Sequence, residues 1–105
     1  MNSREKGKRG ELELAHRLTE LGFKARRGQQ YSGTETSADV LAEGLESFHL
    51  ECKRTEKTQL WDWMEQAIHD SGKSGKTPLV IHRKSRGDWL VILRIEDFAK
   101  LILGV

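Results

Sequence analysis

Apolar and polar residues alternate most regularly in the middle of the chain, over residues 48–53. The apolar set consists of Phe48, Leu50 and Cys52, and the polar set consists of His49, Glu51 and Lys53. Side chains two residues apart on a strand point to the same face, so this pattern predicts a half-buried strand with its apolar face against a core. The opposite face presents a carboxylate beside an ammonium group. Taken alone, the segment also fits an ordinary charge pair on a solvated surface.

A second short apolar run, residues 38–42, is interrupted by one acid, Asp39. The two runs are separated by residues 43–46, a connection that contains Gly44 and has the length of a hairpin. We therefore expect two adjacent antiparallel strands. In that arrangement Asp39 lies close to Glu51, with Lys53 beside them.

Helical spacing of apolar residues predicts three helices, over 8–21, 58–71 and 95–103. The first ends at Gly22 and the second at Gly72, with Thr58 as the cap of the second. The third is a closing helix, and we expect its apolar face, formed by Phe98, Leu101 and Ile102, to cover the sheet.

Three further strands are predicted over 23–27, 78–83 and 88–94, the last two joined by a basic hairpin at 84–87. A polar loop over 28–37 leads directly into Asp39. The resulting order predicts a single domain over residues 1–105 of the α/β class, α-β-β-β-α-β-β-α. A five-stranded mixed sheet is flanked by helices, and the second helix makes a crossover.

Two features of the predicted helices allow two interpretations each. Glu11 lies at the N-terminal end of the apolar stripe that contains Leu14 and Leu18. It either interacts favourably with the helix N-terminus or directs a carboxylate inward at the edge of the core. Trp61 and Trp63 are too close in sequence to point the same way, so one belongs to the core and the other is available to a partner.

Composition narrows the class of protein. The chain has 105 residues, of which 36% are hydrophobic and 32% charged, as expected for a globular domain. It contains neither an apolar run of membrane-spanning length nor a signal-peptide pattern. The single cysteine, Cys52, excludes an internal disulfide and a cysteine-based zinc site, so we expect a reducing, cytoplasmic setting.

The formal net charge is only +2, but the basic residues form four clusters with most of the acids between them. The clusters are Arg4, Lys6, Lys8 and Arg9; Lys24, Arg26 and Arg27; Lys53, Arg54 and Lys57; and Lys73, Lys76, Arg83, Lys84 and Arg86. If they converge on one face, that face attracts a polyanion through phosphate contacts. The alternative is ordinary solvated surface. Gly-Lys-Ser and Gly-Lys-Thr within residues 71–77 lack the spacing and context of a phosphate-binding loop.

The ordered set Glu11, Asp39 and Glu51-Cys52-Lys53, on a helix and two strands, resembles the PD-(D/E)xK nuclease superfamily. Within it, the chain is similar to the archaeal-type Holliday junction resolvases and their phage relatives. The supporting motifs are Gly22-Phe23, Arg26-Arg27, Ser32-Gly33 and Asp39-Val40-Leu41. Ala38 stands where the family has a proline, and restriction-type relatives share the same motifs, so the motifs do not determine the DNA substrate.

The resemblance implies a restriction-endonuclease-like core and a Mg²⁺-dependent endonuclease, with Mn²⁺ also supporting activity. Asp39 and Glu51 would be direct metal ligands, with the main-chain carbonyl of Cys52 as a third. Glu11 would bind through water or hold a second metal, and Lys53 would orient the attacking water or neutralise the phosphate. The residues expected to contact DNA are Lys8, Arg9, Arg26, Arg27, Ser32, Arg54, Gln66 and Lys84.

A four-way junction has near two-fold symmetry and needs two cuts, so a homodimer is the expected assembly. The resemblance also implies a role in DNA recombination or repair, in a cell or in the host of a phage. Two other functions fit the same residues. One is a nickase or restriction-type nuclease, and the other is a DNA-binding module that does not cleave.

Overall fold

Three helices and five strands make up the fold, which is known from a computed structural model that describes residues 3–28 and 38–104. The elements in chain order are α1 (Ser3–Glu20), β1 (Ala25–Arg27), β2 (Val40–Ala42), β3 (Phe48–Arg54), α2 (Leu60–Ser71), β4 (Thr77–Arg83), β5 (Leu90–Ile92) and α3 (Ile95–Leu103). Their order matches the order predicted from the sequence.

The five strands form one mixed sheet in the order β1-β2-β3-β4-β5. Neighbouring strands are antiparallel except for β3 and β4, which are parallel. The parallel pair follows from α2, because a chain that returns along a helix enters the next strand in the original direction. The predicted α/β fold with a five-stranded mixed sheet is therefore confirmed.

The centre of the sheet is covered on both faces. On one face a core cluster joins α1 to the sheet and includes Leu14, Val40 and Leu50, all 1% exposed. On the other face α2 packs Met64 and Ala67 against Val80 of β4. The alternation in β3 predicted a half-buried strand, but the structure covers both faces of the strand. Its polar face lies under α2, where His49 and Glu51 are 2% and 4% exposed.

The helix ends differ from the prediction in three places. Helix α1 begins at Ser3, five residues earlier than expected. It ends before Gly22 as expected, since Gly22 adopts a positive φ of 110° and donates its N–H to the Thr19 carbonyl. The Thr58 cap was predicted wrongly, because α2 begins after Gln59, whose side chain makes no capping hydrogen bond. Gly72 does follow α2, but in a right-handed helical conformation.

The C-terminal segment formed by β5 and α3 leaves its apolar side chains in solvent. Phe98, Leu101 and Ile102, the predicted apolar face of α3, are about half or more exposed. The buried residue of α3 is instead Asp97, which accepts a hydrogen bond from Arg94 Nε at 3.0 Å. The expectation that α3 closes over the sheet with its apolar face was therefore wrong. Within the described residues, no helix combines the length and the apolar character needed to cross a membrane.

Candidate active site

The pairing of β2 with β3 brings Asp39 next to Glu51. Val40 lies opposite Leu50 in this antiparallel pair, which places Asp39 across from Glu51. Backbone and side-chain hydrogen bonds hold the arrangement. The Asp39 N–H donates to the Leu50 carbonyl at 3.0 Å, and the Cys52 N–H donates to Asp39 Oδ2 at 2.8 Å. The approach of Asp39 to Glu51 expected from the two apolar runs is present in the structure.

Gly28 supports Asp39 from the neighbouring end of β1. Its N–H donates to the Asp39 carbonyl at 2.9 Å. A Cβ atom at position 28 would lie 2.0 Å from the Ala38 carbonyl oxygen, so only glycine fits this contact. The segment that carries Asp39 is therefore fixed on both sides, by β3 and by the end of β1.

The surroundings of Asp39 disfavour the charged form of its carboxyl group. Its pKa is raised from 3.8 to about 7, first because the group is buried and second because the negative charge of Glu51 lies beside it. Glu11 adds a smaller repulsion, and the N–H of Cys52 acts in the opposite direction. Burial, followed by the charge of Asp39, also raises the pKa of the Cys52 thiol, so this side chain remains a neutral thiol.

Such a group of acids fits a hard divalent cation. Carboxylate and carbonyl oxygens are the ligands that Mg²⁺ and Mn²⁺ prefer, and a bound cation would remove the repulsion that raises the pKa of Asp39. Asp39 and Glu51 offer these oxygens next to the backbone of Cys52. The neutral thiol of Cys52 is not needed as a ligand.

Glu11 reaches the edge of this cluster from α1. It lies well inside a helix that begins at Ser3, so the interpretation as a charge at the helix N-terminus is wrong. Gly10 allows the close approach, because a Cβ there would come within 2.6 Å of Arg54 Cβ on β3. The Glu11 side chain is only 14% exposed and accepts a hydrogen bond from Arg27 Nε at 2.8 Å. Its carboxylate therefore points toward the sheet, and it raises the pKa of Asp39.

Lys53 projects from β3 toward α2 on the same face as Glu51. Its ammonium group donates to Gln66 Oε1 at 3.2 Å. Gln66 itself is exposed, although the sequence pattern placed it at the border of the buried face. The contact ties the ammonium group of the Glu-x-Lys motif to α2.

Two further polar residues, which the sequence reasoning missed, join this face. His49 Nε2 lies 2.8 Å from Glu51 Oε1, and both side chains are buried. With Asp70 of α2 they form a group whose possible ligand atoms all lie within 4.8 Å of one another. Two signals were present in the sequence. His49 shares the polar face of β3 with Glu51, and Asp70 follows Gln66 by four residues, so it shares that face of α2.

The residues expected to contact DNA fall into three groups. Lys8, Arg9, Arg26, Gln66 and Lys84 are exposed. Arg27 and Arg54 are part-buried and form ion pairs, Arg27 with Glu11 and Arg54 with Glu13 and Glu56. Ser32 lies outside the described residues. Arg83 also contacts Glu13, so this acid joins β3 and β4 to α1.

The tryptophan pair divides between core and surface. Trp63 is 8% exposed and packs on the His82 ring, with the ring centroids 4.8 Å apart. Trp61 is 86% exposed at the start of α2. One tryptophan therefore remains accessible, as expected.

Comparison with known proteins agrees with this geometry. A family described as "Phage putative PDDEXK endonuclease" matches residues 2–103. A solved structure of Archaeoglobus fulgidus Hjc, described as a Holliday junction resolvase from an archaeal hyperthermophile, is similar with a TM-score of 0.61 and 25% sequence identity. The similarity covers 84% of this chain and 72% of that chain. A search of curated protein sequences finds no match.

Proposed function

The chain belongs to the phage PDDEXK endonuclease family, and from this premise we propose that it is a Mg²⁺-dependent nuclease that cuts four-way DNA junctions. The observation that carries the proposal is the pairing of the part-buried carboxyl group of Asp39 with the buried carboxyl group of Glu51 where β2 pairs with β3. We further propose that residues 1–105 form one nuclease domain that acts on cytoplasmic DNA of a cell or of a phage host, in recombination or repair.

The metal ligands we assign are Asp39, Glu51 and the main-chain carbonyl of Cys52, with Glu11 acting through water or on an adjacent ion. When bound, Mg²⁺, or Mn²⁺ in its place, activates water and neutralises charge on the phosphate. The assignment is supported by the repulsion among these acids, which a cation would relieve. Glu11 is held by Arg27 and lies close enough to Asp39 for its charge to raise the pKa of that carboxyl group.

Lys53 serves the same centre as a compact positive charge. Its hydrogen bond to Gln66 holds the ammonium group between β3 and α2, and we propose that the phosphate approaches it there. In this position it orients the attacking water or offsets charge on the phosphate oxygens. Gln66 is then a positioning residue, because it acts through Lys53.

Exposed basic residues supply the DNA-backbone contacts in this proposal. Lys8, Arg9, Arg26 and Lys84 are accessible for phosphate contacts, which fix the register of a duplex without reading its sequence. Arg27 and Arg54 would contribute positive potential while remaining in their ion pairs. Ser32 belongs to the polar segment before Asp39 and stays a candidate for positioning DNA.

Cleavage of a labelled four-way junction in Mg²⁺ tests the catalytic proposal. We expect Asp39→Asn and Glu51→Gln each to lower the rate by ~10³-fold or more, since loss of a metal ligand removes most of the electrostatic catalysis. Binding of the junction should persist in both variants. Asp88→Asn and Glu43→Gln, which change exposed acids, are the matched controls. Binding without cleavage by the wild-type protein in both Mg²⁺ and Mn²⁺ would instead identify a non-catalytic DNA-binding module.

The choice of substrate is supported by the similarity to the A. fulgidus resolvase. A panel of four-way, linear, nicked and flapped duplexes tests it. Preferred, symmetric cutting of the four-way junction is the expected result. Equal or faster cutting of linear or nicked duplex would favour a restriction-type nuclease or a nickase.

A homodimer completes the proposal, because two symmetric cuts require two active sites. The surface we assign to the dimer contact, called the C-terminal apolar surface, consists of Leu90, Val91, Ile95, Phe98, Leu101, Ile102 and Leu103. Each of these side chains is 48–73% exposed, and all lie on β5 and α3. Because two cuts need two active sites, we assign a second copy of the chain as the partner that covers this surface.

A further inference from the structure

Next to the proposed catalytic ligands, and sharing Glu51 with them, one group of side chains has the composition and spacing of a metal site. His49 and Glu51 lie two residues apart on β3, so both point toward α2. Asp70 approaches them from the last turns of α2. An imidazole and two carboxylates thus meet between the sheet and one helix, with all possible ligand atoms within 4.8 Å.

From this arrangement we propose that His49, Asp70 and Glu51 form a second divalent-cation site that takes a transition metal ion such as Mn²⁺ in preference to Mg²⁺. Glu51 would be shared with the site of Asp39 and Cys52. The role of such an ion in DNA cleavage rests on the proposed nuclease function, but its binding does not.

The distances fit six-coordinate geometry with a small adjustment. Metal–ligand bonds of about 2.1 Å place adjacent ligands about 3 Å apart and opposite ligands about 4.2 Å apart. His49 Nε2 and Glu51 Oε1, at 2.8 Å, have the separation of an adjacent pair. The outer limit of 4.8 Å for the group exceeds an opposite pair by about 0.6 Å. The Asp70 side chain is 37% exposed, so it has room to close this difference.

A purely structural role explains only part of the arrangement. A buried histidine requires a hydrogen-bond partner, and Glu51 provides one. That contact does not require a second carboxylate to approach the same buried pair. Asp70 also lies 3.4 Å from the Nδ1 atom of His69, but this ring is 90% exposed and the contact is long for a hydrogen bond. A cation between His49 and the two acids accounts for all three positions.

The ligand set determines which ion the site prefers. Carboxylate and carbonyl oxygens alone suit Mg²⁺, whereas an imidazole nitrogen favours first-row transition metals. The site of Asp39, Glu51 and Cys52 offers only oxygen, and the site of His49 adds nitrogen. We therefore expect Mn²⁺ to remain at the His49 site when Mg²⁺ is present in large excess.

Pulsed electron paramagnetic resonance of Mn²⁺ bound to the full chain in excess Mg²⁺ tests the proposal. An imidazole ligand adds a ¹⁴N modulation to the Mn²⁺ signal, and we expect this modulation in the wild-type protein. His49→Gln should abolish it and weaken Mn²⁺ binding by ~10-fold or more. His16→Gln is the matched control, because it alters an exposed histidine of α1 that contacts none of the three proposed ligands. A wild-type signal without nitrogen modulation, or modulation that survives His49→Gln, would overturn the site.

Two further variants keep the test decisive. If His49→Gln does not fold, Asp70→Asn changes a part-exposed ligand and should also weaken Mn²⁺ binding by ~10-fold or more, while circular dichroism stays unchanged. Unchanged Mn²⁺ affinity in a folded Asp70→Asn variant would contradict the proposal. Asp39→Asn should retain the nitrogen modulation, since it removes only the other site. A protein that shows the modulation but cuts no DNA would refute the proposed nuclease function and leave the second metal site standing.

Discussion

The acidic cluster at the β2–β3 edge and the C-terminal apolar surface depart from ordinary burial in opposite ways. At the first, Glu51 and His49 are almost fully enclosed although both are polar. At the second, Ile102 and Leu103 are about 70% exposed although both are apolar. Buried polar groups and large exposed apolar patches are the informative exceptions to the usual distribution. Each region is unfavourable in the isolated chain, and each would be relieved by a partner of different chemistry.

The two partners differ in what they neutralise. The acidic cluster carries repulsion between Asp39 and Glu51, which a divalent cation removes. The C-terminal apolar surface exposes large side chains to water. Contact with another apolar surface would bury them, and each large side chain that is fully buried contributes about 1.5–3 kcal/mol to stability. The comparison therefore predicts that metal binding stabilises one region and self-association the other.

The largest effect on the free energy of unfolding should come from replacing Asp39, whose charged form is disfavoured in the folded protein. In the folded, metal-free protein the pKa of Asp39 is about 7, against 3.8 for the ordinary carboxyl group. Between these values the folded state holds the proton more tightly than the unfolded state. The contribution to stability is therefore full below about pH 4 and is lost as the pH rises through about 7. The loss amounts to about 4 kcal/mol at most.

Asp39→Asn has no proton to lose and should escape this penalty. Urea unfolding with a chelator at a series of pH values measures the difference between the variant and wild type. We expect the variant to be the more stable protein by up to about 4 kcal/mol at pH 8 and to gain little near pH 4. Asp88→Asn, at an exposed acid, should follow the wild-type curve. Parallel curves for Asp39→Asn and wild type would show that the cluster carries no such strain.

Local patterns explain why the acidic cluster was foreseeable from the sequence. The two apolar runs and the short connection with Gly44 determine the β2–β3 pairing, and that pairing alone places Asp39 across from Glu51. The burial of His49 depends instead on where α2 crosses the sheet, and alternation in one strand contains no information about the opposite layer. The same limit explains why Asp70 was missed, since it meets His49 only through that crossover.

The ends of the chain show a second limit of prediction from the sequence. Residues 3–7 have no apolar stripe, so periodicity could not place the start of α1 at Ser3, where polar helix formers continue the helix. For α3 the stripe was recognised, but a stripe states only that one face is apolar. Whether the sheet or another molecule covers that face is a tertiary question. The wrong expectation for Phe98 and Ile102 arose at this step.

The second effect concerns self-association. If the C-terminal apolar surface joins two copies, Ile102→Lys places a charge in the contact and should weaken the dimer by ~100-fold, about 2.7 kcal/mol. Sedimentation velocity over a range of protein concentrations measures the change. Leu21→Lys is the control, because Leu21 is also more than half exposed but lies at the end of α1. A wild-type protein that stays monomeric at high concentration, or equal effects of the two lysines, would remove the surface as the dimer contact.

The smallest effect should come from the loss of a single phosphate contact with DNA. Lys84 is exposed in the hairpin after β4, and Lys100 is exposed on α3 beside the proposed dimer contact. Loss of one phosphate contact reduces the slope of log affinity against log salt by about 1. We expect Lys84→Ala to show this reduction in junction binding measured by fluorescence anisotropy at several salt concentrations, and Lys100→Ala to keep the wild-type slope. The reverse result would place the DNA on the C-terminal side, and the assignment of that side to a second copy of the chain would then be wrong.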